Sequence, residues 1–324
     1  MIVVTGAAGF IASVFCRHLN AMGITDLILS DDFSSPQKLN NYSSIQYAEL
    51  VNRDVLDQWI QKNHVQIQVV FHLGARTDTT EKNIEILNTL NLFYSQKIWN
   101  LCSEFQIPLI YASSAATYGS GEYGYDDNHE IIKNLQPLNP YGISKNEFDK
   151  WVLLQAEINH TPPHWYGCKF FNVYGPNEYH KGRMASVVFH AFHQITEKGT
   201  LRLFRSHIDS VNDGEQKRDF IYVKDVAKIL FFLFQNKPEC GIYNVGSGHA
   251  STFNELAKAV FNTLQISESI EYIDIPEDIR NTYQYYTQAN MNKLRAVGFA
   301  DKILNIQEGV KDYVLHYLKS TKYY

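Results

Sequence analysis

The chain has 324 residues, enough at roughly 150 residues per domain for two domains or one large one with a substantial core. Apolar residues make up 45% and charged residues 19%, a globular balance that excludes a disordered or fibrous chain. Lys and Arg number 29 against 34 Asp and Glu, a net charge of -5, so the basic excess that holds a nucleic-acid backbone is missing.

The first half alternates short apolar strands with longer helical patterns, the rhythm of a parallel sheet. Ile2–Val4 reads as a strand, Ile11–Ala21 as a helix and Leu27–Ser30 as a second strand. Further buried strands are expected at Val69–Leu73 and Leu109–Ala112, separated by a helix from about Ile84 to Cys102. A helix from Tyr141 to about Glu157 precedes a strand expected from Cys168 to Val173. Beyond Gly175-Pro176 the pattern loosens, and Ser206–Gln216 is polar, with Asp209, Asn212, Asp213 and Gly214 as turn formers. Phe220–Val223 and Gly241–Val245 read as strands. Asp225 is placed to cap a helix from Val226 to about Phe234, and Ser251 or Thr252, with Glu255, to cap the next one. No linker interrupts the second half, so a second domain is expected to interleave with the first.

Cys16, Cys102, Cys168 and Cys240 are far apart, with no C-x-x-C pair and no zinc spacing, and read as reduced thiols of a cytoplasmic protein without metal. The start, Ile2-Val3-Val4-Thr5-Gly6, has neither a basic leader nor a cleavable small-residue site, so mature structure is expected from the first residue. No apolar run approaches the roughly 18 residues of a membrane span.

Thr5-Gly6-Ala7-Ala8-Gly9-Phe10-Ile11-Ala12 follows the first strand and opens a helix. A backbone that turns sharply beside a pyrophosphate needs residues without bulk, here Gly6 and Gly9, and the helix N-terminus offers its amides to the phosphates. Asp31 and Asp32 end the next strand, where a carboxylate meets the ribose of a bound dinucleotide. A carboxylate there suits NAD, whereas nearby cations suit the extra phosphate of NADP. On the residues alone, Lys38 and Arg53 read as solvated surface charges.

Tyr141-Gly142-Ile143-Ser144-Lys145 puts a phenol and an ammonium one turn apart on one helix face. An adjacent cation lowers a phenol's pKa toward neutrality and makes it a usable acid and base. Upstream, Ser113-Ser114-Ala115-Ala116-Thr117-Tyr118-Gly119 leaves a buried strand, and a hydroxyl there can bond the reacting oxygen. Taken alone, Lys181 on its loop reads as a solvated charge, and Arg218 beside Asp219 as either an ion pair or an anion clamp.

The order TGAAGFIAS, SSAATYG, YGISK and FFNVYGP resembles the extended short-chain dehydrogenase/reductase superfamily over nearly the whole chain. More narrowly, His180–Ser186 (HKGRMAS), Lys217–Val223 (KRDFIYV) and Tyr283–Ala289 (YQYYTQA) resemble the ADP-glyceromanno-heptose 6-epimerases.

This resemblance implies an α/β fold, a Rossmann-type doubly wound parallel sheet with a smaller, interleaved substrate-binding α/β domain. Residues 1–174, with returning segments about 218–248, would bind the dinucleotide; 175–217 and 249–324 would bind substrate. It implies Tyr141 and Lys181 as the two acid/base groups, with Lys145 supporting Tyr141 and Ser114 beside the reacting centre. Cofactor contacts are implied for Phe10, Ile11, Asp31, Asp32, Lys38, Arg53, Leu73, Gly74, Ala75, Arg76, Thr77, Asn91, Lys145, Val173 and Lys181. Substrate contacts are implied for Ser114, Asn172, Arg183, His190, Phe204, Arg218 and Tyr283. In this family Lys38 and a cation at position 53 go with NADP, with NAD the alternative. The substrate would be an ADP-heptose, a precursor of the lipopolysaccharide inner core, acted on by a homo-oligomeric enzyme.

A carbinol carbon without an adjacent carbonyl is far too weakly acidic to be inverted by proton abstraction. Transient oxidation at C6 by a bound dinucleotide gives a ketone that can be reduced from its other face. The competing readings are a UDP- or dTDP-sugar 4-epimerase, a 4,6-dehydratase, and a dinucleotide-binding sensor without turnover. A dehydratase would add an acidic residue beside the serine strand, where Thr117-Tyr118 stands, and the intact Ser114, Tyr141 and Lys145 argue against a sensor.

Overall fold

A computed structural model describes residues 1–280 and 283–324. Seven strands form one parallel sheet: β1 (Ile2–Thr5), β2 (Leu27–Asp31), β3 (Glu49–Asn52), β4 (Val69–His72), β5 (Leu109–Ser114), β6 (Trp165–Phe170) and, later in the chain, Gly241–Val245. The last of these pairs outside β6, so the order across the sheet reverses direction between β1 and β4. Strands buried on both faces need continuous apolar runs, and β1, β2 and β4 are buried at every residue. In such sheets ligands bind at the carboxyl ends of the strands flanking the reversal.

Two small sheets lie beyond. One joins β7 (Asn172–Tyr174), β9 (Lys217–Tyr222) and β11 (Ala250–Thr252); the other pairs β8 (Leu201–Phe204) with β12 (Ile270–Ile273), while β10 is the Gly241–Val245 strand of the large sheet. Of the stretch 218–248, helix Val223–Asn236 packs on helix Phe10–Ala21 and β10 joins the large sheet, whereas β9 belongs to the small one. A second apolar cluster, including Phe192, Leu203, Val260 and Val310, fills the space around the small sheets.

Several expectations need correcting. The single strand expected over Cys168–Val173 is two: β6 ends at Phe170, the Phe171 amide bonds Val245, and β7 pairs with β9. Asp225 does not cap its helix, which begins at Val223; its buried carboxylate bonds the Leu304 amide and Lys228. The helical stretch 84–104 carries a π-wound segment, Asn88–Phe93, between its α-helical ends. Thr252 and Glu255 do form the reciprocal cap of helix Phe253–Leu264. All four cysteines are free thiols, and three of them are buried.

Candidate active site

The first βα turn lies at the reversal of the sheet. Gly6 adopts φ +66° and Gly9 is the N-cap of helix Phe10–Ala21 without any side-chain cap, so the first-turn amides are left to a ligand. Asp31 shapes this turn: one carboxylate oxygen accepts the Ala8 amide at 2.9 Å, the other the Asp32 amide at 2.7 Å. Lys38 approaches Asp31 at 3.4 Å and Arg53 approaches Asp32 at 3.5 Å. The two cations, solvated charges on the residues alone but cofactor contacts by the resemblance, stand beside the two carboxylates at the end of β2. Hydrogen bonds from Ser34, aided by burial-opposed attraction to Arg53 and Lys38, hold the Asp32 carboxyl below its ordinary range. A turn with no room for a Cβ at Gly6 or Gly9 and a helix start without its own cap fit a dinucleotide pyrophosphate.

Leu73, Gly74 and Ala75 are partly buried after β4, and Arg76 and Thr77 are exposed. Gly74 donates to the Thr5 hydroxyl, which also bonds His72 at 2.8 Å. Asn91, expected as a cofactor contact, is fully buried and ties the loop from behind: it accepts the Arg76 amide at 2.8 Å and donates to the Arg76 carbonyl and the Ser144 hydroxyl. The π-wound segment carries it there.

Three of the four expected catalytic groups, Ser114, Tyr141 and Lys145, meet at the end of β5. Asn139 caps helix Pro140–Glu157 by accepting the Gly142 amide at 2.8 Å, and Pro140 occupies its first turn. Gly142 lets this helix press on the turn after β5, since a Cβ there would lie 2.8 Å from the Ala116 carbonyl oxygen. Tyr141 is thereby brought to the Ser114 hydroxyl. Burial raises the Tyr141 phenol above its ordinary value, and the Ser114 hydrogen bond pulls the other way. Lys145 lies one turn on, buried, with its amine bonded to the Ala112 carbonyl at 2.9 Å; burial pushes its pKa down to about 8, and Asp149 opposes that.

Lys181 reaches the cradle from a different loop, its amine 5.4 Å from the centre of the Phe10 ring. Burial lowers its pKa and Glu178 opposes the shift. Three features build that loop. Buried Glu178 accepts from the Gly175 amide and from the Ser186 amide and hydroxyl, Ser186 caps helix Val187–Lys198, and His180 bonds Asn41 at 3.1 Å. Asn41 in turn donates to the Ala8 carbonyl, so the Lys181 loop is latched to the glycine turn. Of these groups, sequence reasoning had named His180 and Lys181 but not Glu178 or Asn41.

The expected substrate contacts fall into two groups. Arg218, buried, lies 5.2 Å from the centre of the Tyr283 ring, and Phe204 packs edge-on to the same ring at 6.0 Å. Gln284 donates to the Gly119 carbonyl and accepts from Arg218, joining this group to the turn that follows Ser114. Asn172 and Arg183 are exposed and Val173 half-buried; His190 bonds the Arg183 carbonyl at 3.3 Å and so fastens the loop. Arg218 pairs with no carboxylate of Asp219, whose oxygens are taken by Ser247, Gly248 and Ala289. Among the described residues no group of three or more His, Cys, Asp or Glu could hold a metal ion, and no helix is long and apolar enough to cross a membrane.

The family model described as the NAD dependent epimerase/dehydratase family matches residues 2–246. The ADP-L-glycero-D-manno-heptose-6-epimerase of Fusobacterium nucleatum subsp. nucleatum is 45% identical, with 98% of each chain covered. That of Nitratidesulfovibrio vulgaris is 42% identical, again over 98% of each chain. Among solved structures, the Helicobacter pylori ADP-L-glycero-D-manno-heptose-6-epimerase superposes with a TM-score of 0.81 at 27% identity, covering 97% of this chain and 95% of that one. With matches that run essentially from end to end, the chain belongs to the NAD dependent epimerase/dehydratase family and, within it, to the family of the ADP-L-glycero-D-manno-heptose-6-epimerases.

Proposed function

We propose that the protein interconverts ADP-D-glycero-β-D-manno-heptose and ADP-L-glycero-β-D-manno-heptose, using NADP. The convergence of Ser114, Tyr141 and Lys145 at the carboxyl end of β5, in a sheet whose first turn is a dinucleotide cradle, is the observation that carries this reading. A bound nicotinamide dinucleotide supplies reversible oxidation of the substrate carbinol. Gly6, Gly9 and the first-turn amides would hold its pyrophosphate, and Lys38 and Arg53 its additional phosphate.

The side chains then handle protons and position. Tyr141 takes the proton of the C6 hydroxyl and returns it, with Ser114 sharing the same oxygen and the Lys145 ammonium favouring the phenolate. The two epimers present that hydroxyl on opposite sides, so a second acid/base group is useful, and Lys181, with its burial-lowered pKa, has the chemistry for it. Arg218, stacked on Tyr283 and free of a carboxylate partner among the described residues, clamps the diphosphate.

Incubation with ADP-D-glycero-β-D-manno-heptose is expected to yield the L-glycero epimer by NMR; turnover of a UDP-hexose in its place would overturn the substrate. Denaturing the purified protein and weighing the released dinucleotide should identify NADP. Lys38→Ala with Arg53→Ala should cut NADP retention by about tenfold or more, the worth of losing charge-assisted phosphate contacts, with NAD retention unaffected. Release of NAD alone from the wild type would refute the assignment of Lys38 and Arg53.

A further inference from the structure

We propose that the buried pair Asp149–Lys169 is a positioning device for the reaction, setting the Ser114 hydroxyl and the Lys145 ammonium against Tyr141. The inference rests on the reading that Ser114, Tyr141 and Lys145 carry the chemistry. Tyr141, Lys145 and Asp149 follow one another at successive turns of helix Pro140–Glu157, so one helix face carries all three. Asp149 and Lys169 side chains are both 0% exposed, with the carboxylate 2.7 Å from the ammonium.

Their remaining bonds run to the segment that carries Ser114. Asp149 accepts from the Ser113 hydroxyl at 2.7 Å and from the Tyr111 phenol at 3.1 Å. Lys169 donates to the Thr117 hydroxyl at 2.6 Å, and that hydroxyl donates to the Ser114 carbonyl at 2.8 Å. Ser114 is thus gripped on both sides, through Ser113 before it and Thr117 after it. A displacement of β5 relative to the helix would break several of these bonds together.

Packing alone does not call for charge here. A buried ion pair is usually no more stable than apolar residues of the same volume, so its presence beside a reacting centre calls for another reason. The titratable groups that face Lys145 or its partners include Tyr141 and Asp149 on its own helix, His72 at the end of β4, Tyr111 on β5, Tyr118 in the turn after it, His129 on the short helix His129–Ile132, and Cys168 and Lys169 on β6. Burial keeps His72 neutral, its pKa pushed down to about 3, and keeps Tyr111 a neutral phenol. Among the described residues, the charge that favours the Lys145 ammonium is that of Asp149.

The test uses the full chain with its dinucleotide and follows kcat, KM and their pH dependence for Asp149→Asn, the uncharged double variant Asp149→Asn with Lys169→Met, and Lys169→Arg. Removing one buried charge partner displaces a pKa by about one unit; with Lys145 moving from about 8 to about 7, its ammonium fraction at pH 8 falls about fivefold, so both variants that lack the Asp149 charge should lose about fivefold in kcat there. Their KM should stay within about threefold, and the alkaline limb of kcat should move about one unit lower. Lys169→Arg, which keeps the cation, should recover most of the rate. A double variant that melts like the wild type and keeps its kcat and pH limb overturns the proposal, and so does a rate loss with an unmoved limb. Tyr141→Phe in the same assay separates the two failures: if it retains activity, the reading of the site itself falls.

Discussion

Tyr141→Phe is expected to lower kcat by about 10²–10⁴-fold, the usual worth of a positioned acid/base group, while leaving the protein folded. The ring is nine-tenths buried and remains in place in the variant; what disappears is one hydroxyl at Ser114. Ser114 keeps its bond from the Ala116 amide at 3.1 Å, so the turn survives and the melting temperature should stay within about 3 °C. The pH dependence has a definite sign. Burial is the leading influence on the phenol and raises its pKa, so at neutral pH Tyr141 carries its proton; in the proposed reaction a neighbouring cation, Lys145 one turn on, favours its loss. Lys145, lowered to about 8 by burial, is an ammonium below that value and neutral above it. Wild-type kcat should therefore fall as pH rises through the region of 8, and the residual rate of Tyr141→Phe should not follow that limb. The rates are read by NMR at C6 in single-turnover samples; a phenylalanine variant at wild-type rate would remove Tyr141 from the chemistry. Lys181→Met, measured alongside, should be comparably slow if the second acid/base group is Lys181.

Much of this arrangement is legible in the sequence because local rules govern it. A β-branched run, a small-residue turn and an amphipathic stretch specify β1, the cradle and the first helix within some twenty residues, and the spacing of Tyr141 and Lys145 is that of one helical turn. The stretch from Cys168 to Val173 hides a change of sheet at Phe171, because Phe170, Phe171 and Val173 carry the apolar pattern across the break and Asn172, which opens β7, reads as one outward-facing residue of a continuous strand. Asp225 looks like a cap because it precedes an apolar run, yet its partner is the Leu304 amide, far along the chain. Asp149 shares the Tyr141 and Lys145 period and could have been found by extending it one turn further. Lys169 could not: its partners come from the turn after β5 and from the helix, and only the folded sheet brings them together. The resemblance of HKGRMAS carried Lys181, but the reason that motif has its residues is visible only in three dimensions, where Glu178 and Ser186 fold the loop and His180 latches it through Asn41 to the cradle.

Gly6→Ala should be the most damaging single methyl in the cradle. At φ +66° an alanine bears a left-handed penalty of about 1 kcal/mol. Its Cβ would also stand 2.5 Å from the Gly74 Cα and 2.7 Å from the Gly74 nitrogen, backbone atoms that no rotamer can move aside. Relief requires the first turn to part from the loop after β4, which strains the Gly74 bond to Thr5 at 3.1 Å and the Thr5 bond to His72. Overpacking of this kind costs about 1–3 kcal/mol, so the sum is about 2–4 kcal/mol. The same displacement misaims the first-turn amides, and the purified variant should come out nearly free of dinucleotide, losing also the stabilisation that bound ligand provides. Gly23→Ala is the control, since Gly23 has φ +80° but nothing within 4 Å of the added Cβ. It should lose only the left-handed penalty and keep its dinucleotide. Mass spectrometry of the denatured proteins, with thermal melts in saturating dinucleotide and without it, separates the two effects. Full dinucleotide content in Gly6→Ala would mean that the close approach of the two loops does not build the cradle.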